Sequence, residues 1–410
     1  MTYHIKRVLY RLPVLFIILL CIQYSTAQES DTIQKTALKD TNIIVRRLGF
    51  INITRNPYQD SIKNHRKLRA IPVVVAGYTP ELGALFGAGG LFTYRSDPYN
   101  NSLKPNIIPF NILYTTEGAF VFRTMYSLYF LKDRLRVRGE LSIKNMDDNY
   151  WGVGYKRGRA ISKPDTSTSY HKEYWNFNPR ITYQLFHHLH AGIKLNYSRT
   201  NIFDASNMIK NDYHFIKQGR FITNTGIGIV AEYDTRDFPE SATKGMYVGL
   251  STDFFFSGAL GDFNYRSFEI DIRKYIQLIF CNDVLAIQFK SIFTDGDVPW
   301  TDMPKLGSVF GLRGYHMERY RDKMASYIQT EYRYMFRRQN SVKRDLFIRH
   351  GFAIWGGVGT IANSFSDINH ILPNYGFGYR VELMRNVIGR ADFGIGNDTN
   401  AFYFTINQAF

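Results

Sequence analysis

An all-β fold, a 16-stranded antiparallel transmembrane β-barrel, is the architecture this sequence predicts, on three observations. An export leader opens the chain, and no later stretch reaches eighteen consecutive apolar residues, so no spanning helix follows it. Period-two alternation of apolar and polar residues recurs from residue 71 to the last residue. Aromatics make up 16% of the chain, and glycine (32 residues) far exceeds proline (13), a balance that suits strands and turns better than a proline-rich tail.

Residues 1–27 form the leader. Lys6, Arg7 and Arg11 precede an apolar run from Leu12 to Ile22, and Ser25-Thr26-Ala27 offers a small-residue cleavage site before Gln28. Cys21 raises the alternative of a lipid-modified protein, but Leu19-Leu20 stand where a small residue is needed. Removing the leader takes three basic and no acidic residues, so the formal charge falls from +16 to +13. It also leaves Cys281 as the single cysteine, which rules out an internal disulfide. Export argues against a nucleic-acid partner for that positive charge. The expected uses are lining a polar interior and contacting outer-membrane lipids, lipopolysaccharide included, through their anionic headgroups. Residues 28–70 are rich in Asp, Asn, Lys and Arg and end His65-Arg66-Lys67-Leu68-Arg69. Ile43-Ile44-Val45 and Phe50-Ile51 could form a brief element, but the segment is too short for a core of its own. It reads as a short periplasmic N-terminal tail.

Residues 71–410 form the barrel domain. Leu135, Val137, Leu141 and Ile143 share one face, and Arg134, Arg136, Arg138, Glu140 and Lys144 the other. Leu189, Ala191, Ile193, Leu195 and Tyr197 oppose His188, His190, Lys194, Asn196 and Ser198. A soluble sandwich would bury the apolar face, whereas a transmembrane barrel turns it to lipid, and alternation alone fits both. The terminal run Phe402, Phe404, Ile406 and Phe410 favours the barrel, as a closing strand ending in an aromatic girdle. Strands are expected near 71–79, 84–95, 106–116, 119–130, 134–145, 171–184, 188–199, 221–233, 245–257, 262–276, 282–294, 326–336, 346–356, 375–384, 388–396 and 401–410. Their even number puts both termini in the periplasm of an outer membrane. The long connections 146–170, 200–220, 295–325 and 357–374 then fall on the outer side. Residues 150–157 are read as loop. Gly87-Ala88-Gly89-Gly90 lacks the Gly-Lys-Ser/Thr ending of a phosphate loop and supplies small residues to the second strand.

One connection carries a motif. Leu312-Arg313-Gly314-Tyr315 lies in the polar stretch 295–325, about 31 residues long and too long for an idle turn. Flanking glycines let the backbone turn sharply and leave the guanidinium free to reach a partner. Alone, such a motif is as well explained by a solvated arginine on a surface loop. Its position in the sixth outer loop, however, resembles the Val/Leu-Arg-Gly-Phe/Tyr tip of the outer-membrane assembly-factor superfamily, the bacterial surface-antigen barrels to which two-partner-secretion translocators are related. Tyr233-Asp234-Thr235-Arg236-Asp237 with Gly245-Met246-Tyr247-Val248, Gln329-Thr330-Glu331-Tyr332-Arg333, Gly376-Phe377-Gly378-Tyr379-Arg380 and Arg390-Ala391-Asp392-Phe393-Gly394 are similar to further motifs of that family. The resemblance covers roughly 220–410 by motif and 71–219 by strand pattern.

The resemblance implies that the loop folds back into the lumen and docks its arginine on inner-wall acids. Alternation turns Gln329, Glu331 and Arg333 inward, since Tyr332 and Tyr334 face lipid, and also turns Asp392 and Glu382 inward. Glu331 is therefore the expected main partner of Arg313 and Asp392 the second, with Glu382 a further inner-wall candidate. Two departures stand out. Phe352-Ala353-Ile354-Trp355-Gly356 lacks the aspartate that the family often carries on strand thirteen, and residues 28–70 cannot hold even one periplasmic polypeptide-transport-associated domain. Pro72 and Gly77 interrupt the first strand, so its seam with Phe402, Phe404 and Phe410 on the last is expected to be weak. The family implies that such a seam engages unfolded outer-membrane clients or lipids, alone or with a separate periplasmic partner chain. The expected function is thus assistance of protein or lipid insertion, or translocation, at the outer membrane. The alternative is a passive anion-preferring pore lined by Arg134, Arg136, Arg138, Arg380 and Lys194. No cofactor motif is present. His187, His188 and His190 have no serine motif nearby for an enzyme, and near a periplasmic turn are not expected to bind metal.

Overall fold

The computed structural model describes residues 68–79, 83–94, 106–116, 118–161, 167–239, 241–278, 282–336, 349–384, 387–397, 399–406 and 408–410. The leader and nearly all of the expected tail lie outside the described residues. Two compact units divide the chain after Met146.

The first unit is an antiparallel meander of β1 (Leu68–Thr79), β2 (Gly83–Tyr94), β3 (Asn106–Thr115), β4 (Phe120–Phe130) and β5 (Leu135–Asn149), each paired with the next. The tail was expected to reach residue 70, but β1 already begins at Leu68. The expected interruption of β1 is also corrected. Pro72 sits opposite Gly90 and Gly77 opposite Leu85 in one unshifted register with β2. A proline removes one donor without displacing its Cα. Residues 87–90 lie inside β2, where a Cβ on Gly89 would meet the Phe110 carbonyl oxygen at 2.8 Å, so small residues there allow close strand approach. Arg123 pairs with Glu140 at 2.9 Å and Arg136 with Asp133 at 2.7 Å on the polar face.

The second unit continues the pattern. β6 (Ser169–Phe177) and β7 (Arg180–Phe186) both pair with β8 (Leu189–Phe203), so the single strand expected over 171–184 is broken. Pro179 is the cause: it has no N–H for the ladder, although its carbonyl oxygen still accepts from Leu195 N at 2.9 Å. Next come β9 (Phe221–Asp234), β10 (Gly245–Phe255), β11 (Tyr265–Gln277), β12 (Asp283–Gly296), the two-residue β13 (Lys305–Leu306) and β14 (Tyr320–Arg321), and β15 (Met324–Met335). β16 (Arg349–Ala362), β17 (Leu372–Met384), β18 (Val387–Gly396) and β19 (Asn400–Ile406) complete the meander. Sequential pairing runs from β8 to β12, and then through β15 to β19. With β6 and β7 counted as one strand, and β13 and β14 pairing only with each other, sixteen antiparallel strands are described. The stretch 150–157, expected to be loop, contributes to α1 (Tyr155–Ala160). Two more short helices follow β8: α2 (Asn207–Lys210), capped by Ser206, and α3 (Tyr213–Gln218), capped by Asp212.

The two faces of the second unit have inverted polarity. On β8, Ile193 and Leu195 are 50% and 45% exposed, while Lys194 between them pairs with Asp253 at 2.7 Å. On β17, Phe377 and Tyr379 are 61% and 50% exposed while Arg380 is fully buried. Arg180–Glu232, Arg273–Asp271 and Lys290–Glu269 pair at 2.7, 2.5 and 2.9 Å on the same polar face as Lys194. An apolar exposed face with a paired, charged opposite face suits a hydrocarbon solvent, because each unpaired charge would be costly there. At the long-connection end, Tyr150, Tyr170, Ile202, Ile209, Ile222, Phe263, Val298, Trp300 and Met303 form a buried cluster.

The last strand ends earlier than expected. β19 stops at Ile406, where a strand to Phe410 was expected. Phe402 and Phe404 are each 53% exposed, but Phe410 is buried against Tyr275, Val284, Ala286 and Ala242. The outward girdle position given to Phe410 is therefore corrected. Arg333 explains the turn: its Nη2 donates to the Phe410 main-chain oxygen at 3.0 Å and its guanidinium lies 5.1 Å from the ring. A buried guanidinium needs such an acceptor. Phe410→Leu keeps the burial but loses the ring contact, and should cost about 1 kcal/mol in detergent unfolding. Wild-type stability in that variant would mean the ring adds nothing.

Candidate functional site

The connection 297–323 between β12 and β15 lies against the polar face of the second unit, and its tip is the Leu312-Arg313-Gly314-Tyr315 motif. Leu312 is fully buried with Leu306, Tyr315, Tyr320, Ile361 and Leu372, which anchors the tip by apolar packing. Leu312 itself holds a φ of 51°, and Gly314 one of 112°. A Cβ at Gly314 would lie 2.6 Å from the Ile395 carbonyl carbon, so the tip approaches β18 too closely for any other residue.

Arg313 is fully buried. Its Nη1 donates to Asp392 Oδ2 at 2.7 Å and its Nη2 to Glu331 Oε2. Three more guanidiniums share these two carboxylates. Arg333 Nε reaches Glu331 Oε1 at 2.7 Å, and Arg390 Nη1 reaches Asp392 Oδ2 at 2.6 Å. Arg380 bridges both acids, bonding Asp392 Oδ1 through Nη1 and Glu331 Oε1 through Nη2 at 3.3 Å. The arrangement is one interlocked cluster drawn from β15, β17, β18 and the loop. Trp355 on β16 closes it, with the Arg313 guanidinium 3.6 Å from its ring centre. Stacking on an aromatic face suits arginine's planar cation and spares the stacked side any hydrogen-bond demand.

Main-chain atoms of the tip are held as firmly. Asn374 Nδ2 donates to the Arg313 carbonyl oxygen at 2.7 Å, and Thr399 Oγ1 to that of Gly314 at 2.6 Å. Gly314 N donates to Tyr403 Oη at 2.9 Å, and that hydroxyl donates to the Tyr315 carbonyl oxygen at 3.1 Å. Upstream, Arg390 Nη2 meets the Val309 carbonyl oxygen at 2.6 Å and Gln329 Nε2 that of Phe310 at 3.1 Å. Tyr315 Oη donates to the Pro373 carbonyl oxygen at 2.6 Å.

The loop's descending arm is fixed to the other connections. Arg319, fully buried, donates from Nε to the Gly158 carbonyl oxygen at 2.8 Å and from Nη2 to that of Ile161 at 3.0 Å. Glu318 pairs with Lys305 at 2.7 Å. Burial alone would raise the Glu318 carboxyl, but Lys305, Lys172 and Arg321 outweigh it and hold the group well below the usual carboxylate range.

Among the expected wall partners, Glu331 and Asp392 both meet Arg313, whereas Glu382 does not. Glu382 pairs with Arg349 on the neighbouring strand at 2.6 Å, which corrects its assignment. It faces the polar side, but stands at the far end of β17 from Asn374, the residue that meets the tip. Of the residues considered as pore lining, Arg380 and Lys194 are engaged with Asp392 and Asp253. His187 and His188 meet edge to face at the β7–β8 turn, and His190 lies on β8. No group of three metal-ligating side chains occurs among the described residues. Sequence reasoning missed Trp355, Arg390, Asn374 and Tyr403. Inward parity, the signal that singles out Gln329, Glu331, Arg333, Glu382 and Asp392, was the one available for them too.

These features define a class: a membrane-spanning antiparallel sheet whose polar face holds an arginine-tipped loop. The Omp85 superfamily domain matches residues 109–410, and the chain belongs to that superfamily of outer-membrane β-barrels. Among solved structures, BamA from Haemophilus ducreyi lacking POTRA domains 1-3 matches at a TM-score of 0.55 and 13% identity, over 91% of this chain and 78% of that one. CdiB from Escherichia coli matches at 0.51 and 8% identity, over 82% of this chain and 62% of the other. At such identities these likenesses concern the fold. Among curated proteins, none matches the sequence.

Proposed function

We propose that this barrel assists the insertion or translocation of proteins, or of lipids, at the outer membrane, with both termini in the periplasm. In this reading the sixth extracellular loop lies in the lumen and the edge between first and last strands receives the client. Membership of an assembly and translocation superfamily supports the class. The observation that carries the mechanism is Arg313, fully buried and shared between Glu331 and Asp392. A loop held there braces strands β15 to β18 from inside and meets the last strand through Tyr403. Two features support a weak seam: Pro72 offers no N–H to a neighbour, and β19 is only 7 residues long. A client strand, alone or delivered by a separate periplasmic chain, would add to that edge through main-chain hydrogen bonds. The pore reading is less favoured, because Lys194 and Arg380 are paired and the long connections share a buried core. Superfamily members are generally transporters or assembly factors rather than enzymes.

Reconstitution of the mature chain in liposomes tests the proposal, with wild type beside Arg313→Ala. Single-channel current and insertion of an unfolded test barrel are recorded together. Insertion by the wild type, lost or much reduced in Arg313→Ala, is the expected result. Stable ion-selective current without insertion would overturn it in favour of a pore.

A further inference from the structure

The connection 363–371 between β16 and β17 is not used by the arginine cluster, yet three of its large apolar side chains are exposed. Phe365, Ile368 and Ile371 are 61%, 44% and 62% exposed. Such a group on a water-facing loop would be costly, at about 25 cal/mol for each Å² of apolar surface left wet.

Its surroundings show which way it faces. The Phe365 ring lies 5.5 Å from Phe293 on β12, and Phe293 stacks at 6.1 Å on Phe268 of β11. Phe268 shares its face with Ile270 and Ile272, the exposed apolar side of the sheet. The outgoing arm thus continues the membrane face beyond the strand ends. On the returning arm, Ile371 directly precedes β17 and stands in step with Tyr375, Phe377 and Tyr379, which are exposed on that same face.

The turn also bonds several of its polar groups to one another. Ser364 Oγ donates to Asp367 Oδ2 at 2.7 Å and lies 2.8 Å from Ser366 Oγ, and Asp367 N donates to the Ser364 carbonyl oxygen at 3.1 Å. Behind it, Thr360 Oγ1 holds the His370 carbonyl oxygen at 2.8 Å, and the His370 ring stacks 3.9 Å from Tyr155 of α1. The loop is therefore pinned on one side, partly bonded within itself, and carries its large apolar side chains on the other. A hydrated loop has no need of that combination, whereas a segment resting among acyl chains does.

We propose that residues 363–371 form a membrane-seated wing, with Phe365, Ile368 and Ile371 placed among lipid acyl chains just below the headgroups of the adjacent leaflet. The occupant of this surface is lipid, argued from its continuity with the apolar face of β11, β12 and β17. Asp367 and the serines sit at headgroup level. The wing widens the protein's footprint in one leaflet beside β15 to β17.

Single cysteines at Ile368→Cys and Ile371→Cys, in a Cys281→Ser background, carry an environment-sensitive fluorophore in phosphatidylcholine vesicles. Two sites serve as references: Phe289→Cys on the exposed face of β12 and Lys210→Cys at the end of α2. Nitroxide-bearing lipid should extinguish the wing labels as fully as the Phe289 label, while aqueous iodide should affect mainly the Lys210 label. Wing labels extinguished by iodide to the Lys210 extent, and untouched by nitroxide lipid, would overturn the proposal. Should Ile371→Cys fail to fold, Ile368→Cys, outside any strand, gives the same reading.

Discussion

Glu331→Gln should destabilise this protein more than Arg313→Ala, although both variants break the same bond. Glu331 accepts from Arg313, Arg333 and Arg380, all buried. Neutralising it leaves Arg313 and Arg380 to Asp392, which also binds Arg390, and leaves Arg333 the Phe410 main-chain oxygen. Removing one partner of a buried pair typically costs about 3–5 kcal/mol, because an uncompensated charge stays in a dry site. Arg313→Ala leaves both acids still paired, so its stability loss should be smaller. Its main effect should be a freed loop, read as faster proteolysis between β12 and β15. Heat unfolding in detergent, beside limited proteolysis, gives both numbers. Equal stability losses, or an intact loop in Arg313→Ala, would mean the cluster is not the clamp.

Gly314→Ala is the second large effect. The position combines a φ of 112° with an added Cβ 2.6 Å from the Ile395 carbonyl carbon and 2.8 Å from Gly396 N. Those are backbone atoms of β18, which cannot swing aside as a side-chain end would. The strain should be on the order of 3 kcal/mol, enough to lift the tip. Gly219 supplies the control: its φ is 73°, but nothing lies within 4 Å of an added Cβ. Gly219→Ala should therefore cost only about 1 kcal/mol. Equal losses at the two sites would show that φ alone matters and the approach to β18 does not.

The strand plan was legible because period-two alternation has only one strong cause, and every one of the sixteen expected strands overlaps an observed one. The misses are local. Pro179 divides a strand that alternation alone reads as continuous, whereas Pro72 does not, and nothing in the sequence separates the two prolines. The ladder partners decide it, and these are set by neighbours distant in sequence. Parity placed Glu331 and Asp392 correctly on the polar face, but it could not give height along a strand, and so it admitted Glu382 as well. The inward turn of Phe410 was hidden for another reason. Its cause is an acceptor demand from Arg333, a residue 77 positions earlier. The excess of guanidiniums over carboxylates in the cluster was countable from sequence; how loop and tail carbonyl oxygens meet part of that excess was not.

The bonds that seat the loop tip fall largely on its peptide groups. Val309, Phe310, Arg313, Gly314 and Tyr315 each offer a carbonyl oxygen, and Gly314 its N–H, to side chains of the strands. The strands therefore recognise the path of the chain more than the identity of its residues. Side chains at 309 and 317 can drift over generations without unseating the loop, provided that Leu312 to Tyr315 persist. Mutational tolerance along this segment should consequently be uneven, lowest from Leu312 to Tyr315.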